Sequence, residues 1–213
     1  MRKKAPAQDR SSLTGVQAIA FDVFGTLCEA DPMGDLLRWQ RGLPATERRR
    51  LRDDWMCGRI GFAELTQYGE TAAAPPVEVL EYQAQASAST TRLLASAEPV
   101  LEELKCRGYP MACVSNLAPP FGPPVRQVLA PWIEHYVFSY EVGARKPDPS
   151  LFDAVCEALK LSPQRVLMVG DSPRSDIDGA SAFGMPSMLV NQKNAAESLP
   201  IDQLVKGLPI RRR

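Results

Sequence analysis

The chain has 213 residues, 45% of them hydrophobic, enough for one globular domain or for a core carrying a small insertion. Twenty-five Lys+Arg balance 25 Asp+Glu, so no global charge recommends nucleic acid or an anionic membrane as a partner. The longest apolar runs are strand-sized, too short for a transmembrane span, and the basic start Met1-Arg2-Lys3-Lys4 lacks the apolar stretch of a secretory signal.

Residues 1–14 read as a flexible tail. The first patterned element is the apolar run Val16–Asp22, which ends on a carboxylate and breaks into a turn at Phe21-Asp22-Val23-Phe24-Gly25-Thr26-Leu27. A lone Asp ending an apolar strand is costly unless it has partners or chemistry to perform. One such chemistry is nucleophilic attack through a covalent intermediate. Two residues further on, where a second carboxylate could act as general acid and base, stands Phe24.

Between residues 29 and 96 no convincing strand is found. Gly34–Arg41, Thr46–Met56, Phe62–Tyr68 and Val77–Leu94 have helical patterning, separated by Gly42-Leu43-Pro44, Cys57-Gly58 and Pro75-Pro76. The expectation is an all-α insertion lying as a cap over the rest. Arg38, Trp39, Arg41 and Arg48–Arg50 read as its solvated face rather than as an anion-binding surface.

From residue 97 the pattern alternates. A helix over Pro99–Arg107, stopped by Gly108, precedes a strand over Met111–Asn116. The segment Ala118-Pro119-Pro120-Phe121-Gly122-Pro123-Pro124 reads as a proline-stiffened loop at a crevice mouth, with Phe121 lining it. A strand over Tyr136–Tyr140 follows, then a helix over Pro149–Lys160 with Leu151, Phe152, Val155 and Leu159 on one face. A strand over Val166–Asp171, a helix over Ser175–Phe183 ended by Gly184, and a strand over Ser187–Val190 complete the series. This alternation predicts an α/β protein with an open parallel sheet covered by helices on both faces. The core comprises residues 15–28 and 97–205, the cap residues 29–96, and residues 206–213 form a basic, solvated tail. Ligands of such sheets bind at the carboxyl ends of the strands, which gathers Asp22, Ser115 and Asp171 at one edge.

The five cysteines are odd in number, scattered and without a CxxC pair, which suits reduced thiols in a cytoplasmic protein. Cys28 reads as inert core in preference to a reactive thiol. His135 has no histidine partner and makes a poor metal-ligand candidate.

Four elements now stand in order: Asp22-Val23-Phe24-Gly25-Thr26-Leu27, Ser115-Asn116, Lys146-Pro147-Asp148-Pro149, and Gly170-Asp171-Ser172 followed by Asp176. Together they resemble the motifs of the haloacid dehalogenase (HAD) superfamily of hydrolases, whose helical cap is inserted after the first motif. The resemblance covers roughly residues 16 to 192 and implies a Rossmann-like core. It implies that Asp22 is the nucleophile and that its aspartyl ester is opened by water. Gly25 then turns the backbone next to the substrate, and Thr26 hydrogen-bonds within the loop. Ser115 binds oxygens of the transferring group, with the Asn116 amide nearby. Lys146 neutralises Asp22 and the charge of the transition state. A Mg²⁺ ion is implied on Asp22, the Phe24 carbonyl and Asp171, with Asp176 behind them orienting Lys146.

Two departures matter. Family phosphatases carry an acid two residues after the nucleophile, and the dehalogenase branch carries an aromatic, as here. Yet family dehalogenases resemble Ser-x-Asn-x-x-Asp in the last motif, where this chain has Asp171-Ser172-Pro173-Arg174-Ser175-Asp176. A further carboxylate beside Asp22 is repulsive without a cation. The expected activity is therefore Mg²⁺-dependent hydrolysis of a small phosphate ester, the partner being a small, anionic, phosphorylated organic molecule. A metal-independent 2-haloacid dehalogenase is the alternative. A third reading is a weakly catalytic or non-catalytic member that binds a phosphorylated ligand or a protein. The sequence carries no expectation of oligomeric state.

Overall fold

Strand β1, Ala18–Phe21, is buried at all four positions. A continuous apolar run of this kind marks a strand covered on both faces. In the computed structural model, which describes residues 13–29, 36–67, 74–190, 204 and 208, it is the centre of a five-stranded sheet of order β3-β2-β1-β4-β5. The other strands are β2 (Met111–Ser115), β3 (His135–Phe138), β4 (Val166–Gly170) and β5 (Ser187–Leu189). Every pairing is parallel, and Phe21 lies opposite both Cys113 and Val169. The chain builds outward from β1 through β2 to β3, then crosses back to add β4 and β5 on the other side. The winding reverses at β1, so the carboxyl end of β1 opens onto the crevice.

Residues alternate between two apolar layers. Ile19, Phe21, Cys113 and Val169 face one cluster, formed with Val100, Leu101 and Leu104 of α4 (Glu98–Cys106) and Val125 and Leu129 of α5 (Gly122–Leu129). Ala20, Ala112, Val114 and Met168 face the other, against Leu151, Phe152 and Val155 of α7 (Pro149–Leu159) and Ala180 of α8 (Gly179–Phe183).

Among the described residues between β1 and α4, the regular elements are helical: a 3₁₀ turn at Arg38–Gly42, then α1 (Ala45–Met56), α2 (Phe62–Gln67) and α3 (Val77–Ala88). Leu51, Trp55, Leu65, Leu80 and Ala84 of these helices join the first apolar cluster. Helix α3 stops six residues short of the predicted Leu94. The hydroxyls of Ser89, Thr90 and Thr91 donate to the carbonyls of Ala86, Ser87 and Ala88, competing with helix propagation. Leu93 then pairs with Cys28 instead. Of the helices predicted over Gly34–Arg41 and Phe62–Tyr68, Gly34, Asp35 and Tyr68 lie outside the described residues.

Three other expectations are corrected. The proline-rich segment is a 3₁₀ turn, Pro119–Phe121, leading into α5, and Pro123 and Pro124 fill that helix's first turn. Those positions have no intrahelical N–H bond to lose. Phe121 is fully buried and lines no crevice mouth. The strand predicted to Tyr140 ends at Phe138, and Ser139–Val142 forms a short helix, α6, closed by Gly143 at φ 79°. The predicted helix from Ser175 begins as a π-helical turn, Pro173–Asp178.

The inserted helices are pinned to the core at α6. Ser139 is fully buried, and its hydroxyl lies 2.6 Å from the Met56 carbonyl, to which it donates. Arg59 Nη2 donates to the Gly143 carbonyl (2.9 Å). Gly58 has φ 66°, and a Cβ there would stand 2.6 Å from the Tyr140 carbonyl oxygen, so both conformation and space require glycine. The predicted tails lie mostly outside the described residues, but Leu13 and Leu208 within them are buried in the first apolar cluster. Among the described residues no helix is long and apolar enough to cross a membrane.

Candidate active site

The pairing of β1 with β4 continues one step past the strand, because the Asp22 N–H donates to the Val169 carbonyl (2.9 Å). This holds the Asp22 backbone at the sheet edge. The chain then curls: the N–H groups of Leu27 and Cys28 both donate to the Val23 carbonyl (2.8 Å), and that of Gly25 to the Cys28 carbonyl (2.9 Å). Gly25 sits at φ 82°, and a Cβ on it would stand 2.5 Å from Asp171 Oδ2. The glycine therefore serves two ends: it makes the turn and leaves room for a carboxylate arriving from β4.

Asp22 is 8% exposed and Lys146 2%. Lys146 Nζ donates to Asp22 Oδ1 and to the Val114 carbonyl, each at 2.7 Å. It also lies 2.7 Å from Asp176 Oδ1 as an ion pair. Ser115, at the end of β2, donates its hydroxyl to Asp22 Oδ1 (3.2 Å). Asn116 holds the Lys146 main chain from both sides. Its Oδ1 accepts from the Lys146 N–H (2.7 Å), and its Nδ2 donates to the Lys146 carbonyl (2.9 Å). Its amide is thereby committed to positioning Lys146. The Lys146–Pro147 peptide is cis. Asp176, 1% exposed, accepts the Ser172 N–H at Oδ2 (2.9 Å). It packs so closely over Gly170 that a Cβ there would lie 2.3 Å from Asp176 Oδ2.

Asp22, Asp171 and Asp176 each offer a carboxylate oxygen, and these oxygens lie within 4.8 Å of one another. Asp171 is exposed while the other two are buried. Burial is the main force raising the Asp22 carboxyl to about 7; Asp176 and Asp171 add to it and Lys146 opposes it. Burial works against the charge of Lys146, but Asp22 and Asp176 outweigh it and hold the ammonium above the usual lysine value. Three oxygen donors crowded at this distance, with one ammonium among them, form a donor set suited to a hard divalent cation.

These groups border a cavity of about 180 Å³. Phe24 forms part of its wall and rests edge-on against Phe121, their centroids 6.1 Å apart. Thr26 lies beneath the turn, fully buried, and does not line the cavity. Cys28 is also fully buried, and burial, aided by Asp22 and Glu29, pushes its thiol up to about 12, which leaves it inert as a nucleophile.

The crevice also contains residues that lie outside the four sequence motifs. Arg52 and Met56 of α1 reach it, as does Arg145, which pairs with Asp53. Burial, and then Arg52, hold the Arg145 guanidinium below its usual value. A signal existed in the sequence. Arg48 and Arg52 are one helical turn apart and share a face, while Leu51 and Trp55 form the buried face.

Residues 16–184 match the haloacid dehalogenase-like hydrolase family. The chain belongs to that family. A phosphoglycolate phosphatase of Escherichia coli O157:H7 is 27% identical over 224 residues, spanning 91% of this chain and 88% of its own. Among solved structures, a HAD phosphatase from Thermococcus onnurineus superposes with TM-score 0.58 at 22% identity, covering 84% of this chain and 88% of its own. A 2-haloacid dehalogenase from Pseudomonas syringae pv. Tomato DC3000 superposes with TM-score 0.63 at 21% identity, covering 90% and 97%. At these identities the two structures speak for the fold alone, and phosphatase and dehalogenase share it. This HAD-family chain is thus a hydrolase, and the choice between reactions rests on its side chains.

Proposed function

We propose that this HAD-family hydrolase is a Mg²⁺-dependent phosphatase acting on a small phosphate ester. The observation that carries the reading is the convergence of Asp22, Asp171 and Asp176 within 4.8 Å. Asp22 and Asp171, with the Phe24 main-chain carbonyl, would hold the ion. Bound there, Mg²⁺ supplies positive charge that keeps Asp22 ionised and offsets the charge of a phosphoryl group. The 27% identity to a phosphoglycolate phosphatase over most of both chains supports the same reading.

Asp22 is the nucleophile. Its carboxylate attacks phosphorus, the ester P–O bond breaks with its electron pair going to the leaving oxygen, and an aspartyl phosphate forms. Water then opens that intermediate, releasing phosphate and restoring Asp22. Lys146 stays charged beside the reacting oxygens and Ser115 offers its hydroxyl to them. Asn116 and Asp176 act through Lys146, the first on its main chain and the second on its ammonium. The helices of residues 36–96 act as a cap that brings Arg52 and Met56 over the crevice. Phe24 has no proton to give, so the leaving oxygen takes one from water or from the substrate itself. This chemistry favours esters with good leaving groups.

The test is phosphate release from p-nitrophenyl phosphate with Mg²⁺. The expected result is turnover abolished by EDTA and by Asp22→Asn; turnover unchanged in that variant rejects Asp22 as nucleophile. Phe24 favours a second reading, a metal-independent 2-haloacid dehalogenase. EDTA-resistant chloride release from 2-chloropropionate, with no phosphatase activity, would establish it in place of the first.

A further inference from the structure

A cavity of about 680 Å³ lies beside the catalytic crevice, and Arg52, Arg145, Lys146 and Ser175 line both. Its other walls come from three separate parts of the chain: Arg38 of the 3₁₀ turn, Arg48 and Arg49 of α1, and Arg174 after β4. Among the described residues, Asp53 is the one carboxylate lining it, and it is already paired with Arg145. A chain with no net charge has thus collected a strongly cationic hollow next to its nucleophile.

Two side chains in the wall of the hollow also hold buried donors. Gln40, 2% exposed, lines it, and its Nε2 has no hydrogen-bond partner among the described residues. The buried Nε of Arg48 has none either. Buried donors are normally satisfied, and guanidinium groups carry no acceptor with which to satisfy one another. Arginines forming the outer face of a helix would spread into solvent. Here Arg38, Arg49, Arg52 and Arg174 stay exposed to solvent, yet with the half-buried Arg48 and Arg145 they line a single concavity. An acceptor-rich anion in that concavity would meet guanidinium groups from several parts of the chain at once.

We propose that this cavity binds a second anionic group of the substrate, remote from the scissile phosphate, so that the preferred substrate is a sugar-sized phosphate monoester with a phosphate or carboxylate at its far end. The inference rests on the phosphatase reading for the position of the scissile group. The volume sets the scale. Beyond the crevice of about 180 Å³ there are about 680 Å³ more, far beyond what the acid of a two-carbon phosphate ester needs. Arg52 and Arg145, lining both spaces, span the body of the molecule.

Three esters matched at the scissile end provide the test: glucose 6-phosphate, glucose 1,6-bisphosphate, and 6-phosphogluconate, whose far end is a carboxylate. Binding is measured by calorimetry to the Asp22→Asn protein with Mg²⁺, and kcat/KM on the wild type. A far-end anion is expected to raise affinity and kcat/KM about 100-fold over glucose 6-phosphate, the effect of one or two charge-assisted hydrogen bonds. Whichever of the two anionic probes gains identifies the group as phosphate or carboxylate. Arg48→Gln/Arg49→Gln, and separately Arg174→Gln on the core side, are expected to reduce that ratio about tenfold or more. Equal binding of all three probes, or a ratio unmoved by both variants, overturns the inference. If p-nitrophenyl phosphate turns over and no far-end preference exists, the phosphatase reading stands and the cavity proposal falls. If nothing turns over yet the preference appears in binding and falls in the variants, the cavity proposal stands without the phosphatase.

Discussion

Asp22→Asn should make the protein more stable at neutral pH, because it removes a charge that the fold resists. The Asp22 carboxyl rises from 3.8 to about 7, chiefly by burial. The folded state therefore holds this proton more tightly than the unfolded state does. The resulting stabilisation is fully present below pH 3.8 and is lost as pH rises through 7. At pH 8 the ionised group costs at most about 4 kcal/mol relative to its neutral form. Asp22 borders an open crevice, where water relaxes around it, and about 1–2 kcal/mol is the reasonable expectation. Asn cannot ionise, and Lys146 keeps Asp176 and the Val114 carbonyl as partners. For a chain of this size the gain corresponds to ~2–8 °C in Tm. The assay is thermal unfolding followed by circular dichroism in EDTA, at pH 8 and pH 5. The Asp22→Asn protein should melt higher than wild type at pH 8, with the gap narrowed to roughly a third at pH 5. A variant that melts below wild type at pH 8, or a gap independent of pH, would refute this account. The burial of the nucleophile is thus a stability cost located in the active site.

Phe24→Asp supplies the missing acid and should raise kcat on an alkyl phosphate about 10²-fold or more, measured as phosphate release; no gain would show that leaving-group protonation is not limiting. Gly25→Ala forces a side chain into φ 82° and against Asp171 Oδ2. It should lower stability by about 1–2 kcal/mol and displace Asp171, read as a rise in the Mg²⁺ concentration needed for half-maximal rate. Ser139→Ala leaves the Leu117 N–H and the Met56 carbonyl without their buried partner, at a cost of about 1–3 kcal/mol in urea unfolding.

Local physics made much of this protein readable in advance. β1, β2 and β4 are short apolar runs closed by polar residues, and α7 repeats its apolar residues every three or four positions. Such signals act within a few residues and need no tertiary context. They suffice for an α/β fold with a parallel sheet, whose strand ends must bring Asp22, Ser115 and Asp171 to one edge. The misreadings fall where neighbours in sequence conflict with neighbours in space. The proline run Pro119–Pro124 punctuates like a loop, yet packing of Phe121, Val125 and Leu129 makes it the start of a helix. Ser139 looks like one more strand residue, but its hydroxyl joins Met56 and Leu117 and turns the chain.

The sequence by itself determined that a buried strand would end on Asp22 and that Gly25 would turn the chain beside it, since burial pattern and backbone sterics are local. The family motifs named Lys146, Ser115 and Asp171 as the company of Asp22, and only the tertiary structure decided how that company is held. Lys146 is 124 residues away, Asn116 spends its amide on the Lys146 main chain, and Arg48, Arg49 and Arg52 of α1 line one cavity with Arg145 and Arg174. An arginine on a helix surface faces either water or a cavity, and nothing within one turn of the helix distinguishes the two. That choice is made by which element packs opposite, here the core loops that follow β3 and β4.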